Sequence, residues 1–296
     1  MAKSKNIIFT KKQAEDFRSI PSLEEGADNP VEFTVSAWLK AQLASFLPKE
    51  GIVCDVGCGN GRLFSSLEGD ERILFGVDNS QAMLEQLPQP YRASLTDSFV
   101  RAEKELLAGH DIVLCGDCLQ DFPKLARTNV RFGAALASFA APCFEDPGAM
   151  IGALMPLMAT GARLFLVSNV FVDAGLVPQR LTFMGAGGFE GDVIDIHDPS
   201  LARLGPPRGI RFCQILHMKG LDITLKDFAH NLAMYDQAFD PSRWRVQEAR
   251  LFPADGCEHI SAQACLFDAD RDRAAFLEPD RSFAYVKIGI IAQRLG

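Results

Sequence analysis

The sequence predicts an α/β protein with a doubly wound, mostly parallel sheet and helices on both faces. Three observations predict this class. Short apolar runs of strand length alternate with helix-like segments between residues 52 and 167. The first apolar run leads directly into a glycine-rich loop, Gly57-Cys58-Gly59-Asn60-Gly61. The chain of 296 residues is 48% hydrophobic, which is enough for one substantial core.

The elements of the first half follow in regular order. A first helix is expected to begin at Asn29-Pro30, with Asn as cap and Pro at the first helical position, and to end at Pro48. Buried strands are expected at 52–54, 73–77, 111–115, 132–139 and 164–167. Helices are expected between them at 61–69, 80–87, 94–107 and from Asp146-Pro147 to Gly161. This alternation implies right-handed crossovers between parallel strands.

The pattern loosens after Val177. Residues 178–209 are rich in Gly and Pro, so we expect an inserted segment that covers the substrate. A strand is then expected at 211–218, a helix at 225–239, and two late strands at 244–252 and 284–292 that pair antiparallel at one end of the sheet. We expect residues 1–28 to be an N-terminal extension and residues 29–296 to be a single domain with 178–209 inserted.

Composition excludes several functions. The formal net charge of −8 disfavours DNA or RNA as the main partner. The N-terminus has no apolar core of a secretion signal, so a cytoplasmic protein with reduced cysteines is expected. The longest apolar stretch is interrupted by Pro156, Arg163 and Asp173, which argues against a membrane span. Cys115 and Cys118 have C-x-x-C spacing, but Cys115 lies in an apolar run and there is no second pair, so packing is expected and no metal.

The glycine loop and its flanking acids indicate the ligand. Asn60-Gly61-Arg62 stands where a nucleotide-binding P-loop needs Gly-Lys-Ser/Thr, and the third glycine of the dinucleotide fingerprint is missing. Asp55, just before the loop, suits a ligand with a cationic amino-acid end. Asp78, at the end of the second strand, is placed to accept two ribose hydroxyls. An amino acid and a ribose together fit S-adenosyl-L-methionine.

Three motifs in order carry a family resemblance: VCDVGCGNGRL at 53–63, ILFGVDNS at 73–80 and LCGDCLQDF at 114–122. With them the chain resembles the class I S-adenosylmethionine-dependent methyltransferases. The resemblance implies a seven-stranded, Rossmann-like sheet, with Asp78 on the ribose and Asp117 on the adenine amino group. The implied cofactor-binding residues are Asp55, Gly57, Cys58, Gly59, Gly61, Asp78, Asn79, Met83, Asp117, Cys118 and Ser138. The chain departs from the family at Phe132, where an Asp is usual, and in the long spacing between Asp78 and Asp117.

The methyl acceptor is less well indicated. Ser138–Phe144 is apolar and lacks the motif of enzymes that methylate base amines, so a small, partly hydrophobic acceptor is expected for O-, N- or C-methylation. His217 is a candidate base, the alternative being a strand-end histidine bonded to a carbonyl. His197 is also within reach of a site, whereas His230 is expected on a helix surface. A protein or RNA methyltransferase and a non-catalytic binding module stay open, as does a homodimer.

Overall fold

Parallel strands from the first half of the chain and antiparallel strands from the second half form one large sheet. It has nine strands in the part of the chain that the structure, a computed structural model, describes. The described residues are 8–18, 30–173, 192–197, 210–218, 221–252, 261–267 and 283–296.

The strands, in chain order, are β1 (Glu50–Val56), β2 (Glu71–Asp78), β3 (Leu95–Thr96), β4 (Ile112–Cys115), β5 (Phe132–Ser138), β6 (Met158–Asp173), β7 (Asp192–Val193), β8 (Ile210–Met218), β9 (Leu221–Ala229), β10 (Trp244–Phe252), β11 (Ser261–Phe267) and β12 (Phe283–Arg294). The α-helices are α1 (Lys11–Arg18), α2 (Pro30–Phe46), α3 (Phe64–Leu67), α4 (Gln81–Leu84), α5 (Phe99–Leu107), α6 (Cys118–Leu125), α7 (Pro147–Leu154) and α8 (Leu232–Ala238).

The strand order of the large sheet is β3-β4-β2-β1-β5-β6-β12-β10-β7. The strands from β3 to β6 are parallel to their neighbours. Strand β12 runs antiparallel to both β6 and β10, which confirms the predicted pairing of the late strands. The chain moves outward from β1 through β2 and β4, then returns to place β5 on the other side of β1. A crevice therefore opens beyond the carboxyl ends of β1 and β5, where open α/β sheets bind their ligands.

Helices cover both faces of the sheet, as predicted, over two hydrophobic clusters. Under α5 to α8, the rings of Phe75, Phe122 and Phe132 pack with centroids between 5.8 and 6.4 Å apart. Helices α2 to α4 cover the opposite face, where Trp38 is buried. The Trp38 Nε1 donates to Glu248 Oε1 at 3.0 Å, so the polar atom of this ring has its partner.

Side-chain caps set the first residue of six of the described helices. Each cap accepts a backbone N–H of the first turn, and the caps are Thr10, Ser80, Ser98, Asp117, Asp146 and Asn231. The predicted helix start at Asp146-Pro147 is confirmed. The helix predicted from residue 94 instead begins at Phe99, because Ser98 caps it. No described helix is both long and apolar enough to cross a bilayer.

A second, antiparallel sheet with the order β11-β8-β9 is present among the described residues. The helix predicted at 225–239 is wrong in its first part, because residues 221–229 form strand β9. The segment LDITLKDFA alternates apolar and polar residues, which is a strand pattern, and it pairs with β8 from Leu221 to Ala229. The helix there begins later, at Leu232, after the cap Asn231.

One further expectation needs correction. The large sheet has nine described strands instead of seven, because the two-residue strands β3 and β7 add to its edges. Part of the predicted N-terminal extension packs on the domain: α1 contacts α4 and β9, and Ala14 is fully buried. Most of the predicted cover at 178–209 lies outside the described residues, which include only 192–197 of it.

Candidate functional site

The glycine loop between β1 and α3 forms the floor of a pocket at the carboxyl edge of the sheet. The N–H groups of Gly57 and Cys58 donate to the Val77 carbonyl at 2.8 and 3.2 Å, which fixes the loop against β2. Gly57 and Gly59 have φ values of 70° and 56°, a region that favours glycine. The loop therefore presents its backbone, free of side-chain bulk, to the pocket.

The surroundings of each glycine explain why a side chain is excluded. A Cβ on Gly57 would lie 2.6 Å from the Cβ of Ala140, and a Cβ on Gly59 would lie 3.0 Å from the Met83 methyl carbon. A Cβ on Gly61 would meet Leu87 and Phe64 at 2.8 and 2.9 Å. Gly61 is the one predicted cofactor residue that does not line the pocket. Its position serves the packing of the loop onto the helix that follows.

Asp55 lies in the pocket at the end of β1 and is only 3% exposed. Burial, and secondarily the nearby Asp78 carboxylate, raises the pKa of Asp55 to about 8. A carboxyl group in this state has a strong electrostatic preference for a cation, because a positive charge beside it would lower its pKa again.

Asp78 ends β2 and is held by the backbone of the two loops beside it. Its Oδ2 accepts the Gly59 N–H at 2.9 Å, and its Oδ1 accepts the Ser80 N–H at 2.7 Å. Burial raises its pKa, and these two hydrogen bonds oppose the shift. Each carboxylate oxygen keeps a further lone pair with which it could accept a ligand hydroxyl.

Asp117 follows β4 and caps α6. Its Oδ1 accepts the Leu119 N–H at 2.9 Å, and its Oδ2 accepts from the Gln120 side-chain amide at 3.0 Å. It nonetheless lines the pocket. The predicted contact with an adenine amino group stays a prediction, because the carboxylate already has a capping role.

The pocket brings together ten of the eleven predicted cofactor residues. They are Asp55, Gly57, Cys58, Gly59, Asp78, Asn79, Met83, Asp117, Cys118 and Ser138. Burial raises the pKa of the Cys58 and Cys118 thiols, so both are neutral at pH 7 and add apolar surface to the wall.

The segment after β5 forms an apolar wall of the pocket. Phe139, Ala140, Cys143 and Phe144 line it beside Ser138. Phe139 has a φ of 55°, an unusual value for a residue with a large side chain, and its N–H donates to the Val167 carbonyl at 2.7 Å.

A buried histidine lies behind this wall. His230 was expected on a helix surface but is fully buried just before α8, and burial lowers its pKa to about 4. Its Nε2 is 2.8 Å from the Phe144 carbonyl and must donate there, since a carbonyl only accepts. Its Nδ1 lies 3.3 Å from the Tyr235 hydroxyl, which donates to Ser168 Oγ at 2.6 Å.

His217 lies in β8, where its backbone pairs with Asp222 of β9. His217 as a base stays a prediction. His197, the other histidine considered from the sequence, has its Nδ1 2.6 Å from Asp236 Oδ1 on α8.

Sequence reasoning missed one wall of the pocket. Phe9, from the supposed N-terminal extension, lines the pocket, and its carbonyl accepts from Ser80 Oγ at 2.9 Å. A signal was present in the sequence Thr10-Lys-Lys-Gln13. This is a capping box, in which Gln13 N–H donates to Thr10 Oγ1 at 3.3 Å and Thr10 N–H donates to Gln13 Oε1 at 3.0 Å.

A curated protein matches part of this chain. No protein-family model matches the chain. Among curated proteins, the carboxy-S-adenosyl-L-methionine synthase of Campylobacter concisus (strain 13826) is 39% identical over 95 residues, which is 30% of this chain. The chain spans 40% of the length of that relative.

The solved structures that are similar to this chain have low sequence identity to it. An S-adenosylmethionine-dependent methyltransferase from Clostridium acetobutylicum ATCC 824 has a TM-score of 0.48 and 11% identity, over 96% of this chain and 98% of that one. The magnesium protoporphyrin IX methyltransferase of Synechocystis PCC 6803 has a TM-score of 0.42 and 16% identity, over 92% and 82% of the two chains. Strand order, motif placement and the curated relative together confirm the resemblance of this chain to the class I S-adenosylmethionine-dependent methyltransferases.

Proposed function

We propose that the chain binds S-adenosylmethionine in this pocket and transfers its methyl group to a small-molecule acceptor. One observation carries the proposal. Three acids follow three neighbouring strands at one edge of the sheet: Asp55 on β1, Asp78 on β2 and Asp117 after β4. This row matches a ligand that has an amino acid at one end, a ribose in the middle and a base at the other.

The residues present fit such a ligand. Gly57 and Gly59 leave no space for a Cβ and expose backbone to the pocket, so the amino-acid end of the ligand could approach the loop closely. The buried Asp55 favours an ammonium group. Asp78 is oriented by two backbone donors and retains lone pairs for ribose hydroxyls.

The sulfonium of bound S-adenosylmethionine would supply an activated methyl group, and the chain would orient the reactants and exclude water. The apolar wall of Phe139, Ala140 and Phe144 lies next to the glycine loop, since Ala140 is in contact range of Gly57. An acceptor held between this wall and the ligand would be aligned for in-line attack, which is a large part of the catalysis of such a reaction. The same wall would exclude water, which competes for the methyl group.

A small acceptor is favoured over a macromolecule by charge and lining. The chain has a net charge of −8, which opposes nucleic acid. The segment Ser138–Phe144 offers an apolar surface, partly buried, instead of the polar groups that a base amine would need. O-, N- and C-methylation all stay compatible with this lining.

A second candidate follows from the curated relative. That protein is named as a synthase of carboxy-S-adenosyl-L-methionine, and 39% identity over 95 residues makes a related ligand reasonable here. In this alternative, S-adenosylmethionine would itself be modified, and the methyl group would not be transferred to an acceptor.

Calorimetry and mass spectrometry test the proposal together. We expect S-adenosylmethionine and S-adenosylhomocysteine to bind the purified protein with dissociation constants on the order of 1 μM. Such a constant corresponds to a binding free energy of about −8 kcal/mol. Mass spectrometry of ligand released from freshly purified protein then separates the candidates. A carboxylated derivative would favour the second candidate, whereas S-adenosylhomocysteine produced with a panel of small acceptors would favour methyl transfer. Absence of binding to either ligand would refute both.

A further inference from the structure

We propose that Phe9 is a cofactor-binding residue, and that the segment 8–18 closes the pocket over the adenosine half of the ligand. The inference rests on the proposed function and names a binding determinant beyond the three motifs. It starts from the pocket wall that the predicted cofactor residues do not account for: Phe9 lines the pocket from a segment that precedes the first strand by about 40 residues.

The segment is built to hold Phe9 in a fixed place. The capping box of Thr10 and Gln13 starts α1, and Phe9 is the residue just before that cap. One turn later, Ala14 is completely buried, and α1 packs against both α4 and β9. A residue at the end of a docked, capped helix has lost most of its backbone freedom, so its ring can serve as a preorganised surface.

Ser80 connects this segment to the ribose-binding acid. The Ser80 hydroxyl donates to the Phe9 carbonyl at 2.9 Å and accepts the Met83 N–H at 3.3 Å, while the Ser80 N–H donates to Asp78 Oδ1 at 2.7 Å. Phe9, Met83 and Asp78 therefore meet around one serine, and all three line the pocket.

The sheet order decides which half of the ligand Phe9 would contact. Strand β1, with Asp55, lies next to β5 and its apolar wall, whereas β2 and β4 lie on the opposite side. Phe9 is tied to the loop after β2, so it is on the ribose and base side of the pocket. A base that stacks on an aromatic side chain is bound more tightly, and alanine substitution of that aromatic residue removes the gain.

Binding of whole and partial ligands tests the assignment. By calorimetry, we expect Phe9→Ala to raise the dissociation constant of S-adenosylhomocysteine about tenfold, and that of 5′-methylthioadenosine by the same factor. Phe9→Trp should bind both ligands like the wild type. Ile8→Ala is the matched control: it removes the neighbouring side chain, which is 57% exposed and does not line the pocket, and should leave both constants unchanged.

The connection through Ser80 has its own matched pair. Ser80→Ala removes a helix cap together with the hydrogen bond to Phe9, whereas Ser98→Ala removes an equivalent cap, to Arg101 N–H at 3.3 Å, away from the pocket. We expect Ser80→Ala to weaken S-adenosylhomocysteine binding about fivefold and Ser98→Ala to have no effect.

The outcomes separate this inference from the proposed function. If the wild type binds neither ligand, the proposed function fails. If the wild type binds S-adenosylhomocysteine and folded Phe9→Ala binds it equally well, the proposed function stands and the assignment of Phe9 is wrong. The assignment is also wrong if Phe9→Ala weakens S-adenosylhomocysteine but not 5′-methylthioadenosine. Should Phe9→Ala not fold, Phe9→Leu, which keeps an apolar side chain without the aromatic face, is measured by the same criteria.

Discussion

The three acids of the pocket have the same kind of side chain and three different physical states. Asp55 has a raised pKa because it is buried beside Asp78. Asp78 is buried too, but two backbone N–H groups partly offset the effect on its pKa. Asp117 caps a helix. The surroundings, more than residue identity, thus indicate separate roles: a cation partner, an oriented hydroxyl acceptor, and a helix cap at the edge of the site.

Asp78→Asn should weaken S-adenosylhomocysteine binding by about 2 kcal/mol, because a charge-assisted hydrogen bond to the ribose and one orienting bond are lost. The measurement is calorimetry at pH 7.5. Asp111→Asn is the matched control, since Asp111 Oδ1 also accepts a backbone N–H, from Leu74 at 2.7 Å, but lies outside the pocket. Equal dissociation constants for folded Asp78→Asn and Asp111→Asn would show that the ribose is not at Asp78.

At the scale of elements, the glycine loop between β1 and α3 combines backbone strain with close packing, and variants separate the two. Gly51 and Gly57 have positive φ values of 90° and 70°, but a Cβ on Gly51 meets nothing within 4 Å, whereas one on Gly57 would lie 2.6 Å from Ala140 Cβ. Gly51→Ala therefore measures the cost of the conformation alone, about 1–2 kcal/mol.

We expect Gly57→Ala to lower the free energy of unfolding by more than Gly51→Ala and to abolish detectable ligand binding. The second change Ala140→Gly should restore part of the stability of Gly57→Ala, because it removes the clashing methyl group. Denaturant unfolding and calorimetry complete the test on four variants: Gly51→Ala, Gly57→Ala, Ala140→Gly, and Gly57→Ala combined with Ala140→Gly. Additive effects of Gly57→Ala and Ala140→Gly would mean that the loop and the wall are not in contact.

The parallel half of the fold, apart from the two-residue strand β3, was predictable because its strands contain apolar runs that end in a polar or glycine-rich turn. The motifs at the ends of β1, β2 and β4 were found for the same reason. Two kinds of features were missed. The alternating segment at β9 was interpreted with the wrong period, since Leu225 and Phe228 also fit a helix. The wall formed by Phe9 depends on a long-range contact with Ser80, which local patterns do not encode.

At the scale of the whole molecule, two buried groups give opposite dependences of stability on pH. The pKa of Asp55 rises from 3.8 to about 8 on folding, so the folded state keeps a proton that the unfolded state loses. Its contribution to stability is therefore lost as the pH rises from about 4 to 8. The pKa of His230 falls from 6.5 to about 4, so its contribution is lost as the pH falls through that range. Below pH 6.5, Asp55 and His230 change the stability in opposite directions as the pH rises. Above pH 6.5, only Asp55 continues to lower the stability.

The ligand-free protein should therefore lose thermal stability between pH 6.5 and 8, by about 2–4 °C for the release of up to one proton over this range. Asp55→Asn should flatten this decline and raise the melting temperature at pH 8, since the amide is buried without a charge. The same variant should bind S-adenosylhomocysteine more weakly, because the ammonium group of the ligand then has no carboxylate partner.

Differential scanning calorimetry at pH 6.5 and pH 8 tests the expected decline in melting temperature, with Asp111→Asn as the control for a changed net charge. A decline as steep in Asp55→Asn as in the wild type would mean that Asp55 is ionised in the folded protein, and that its burial does not reserve it for a cation.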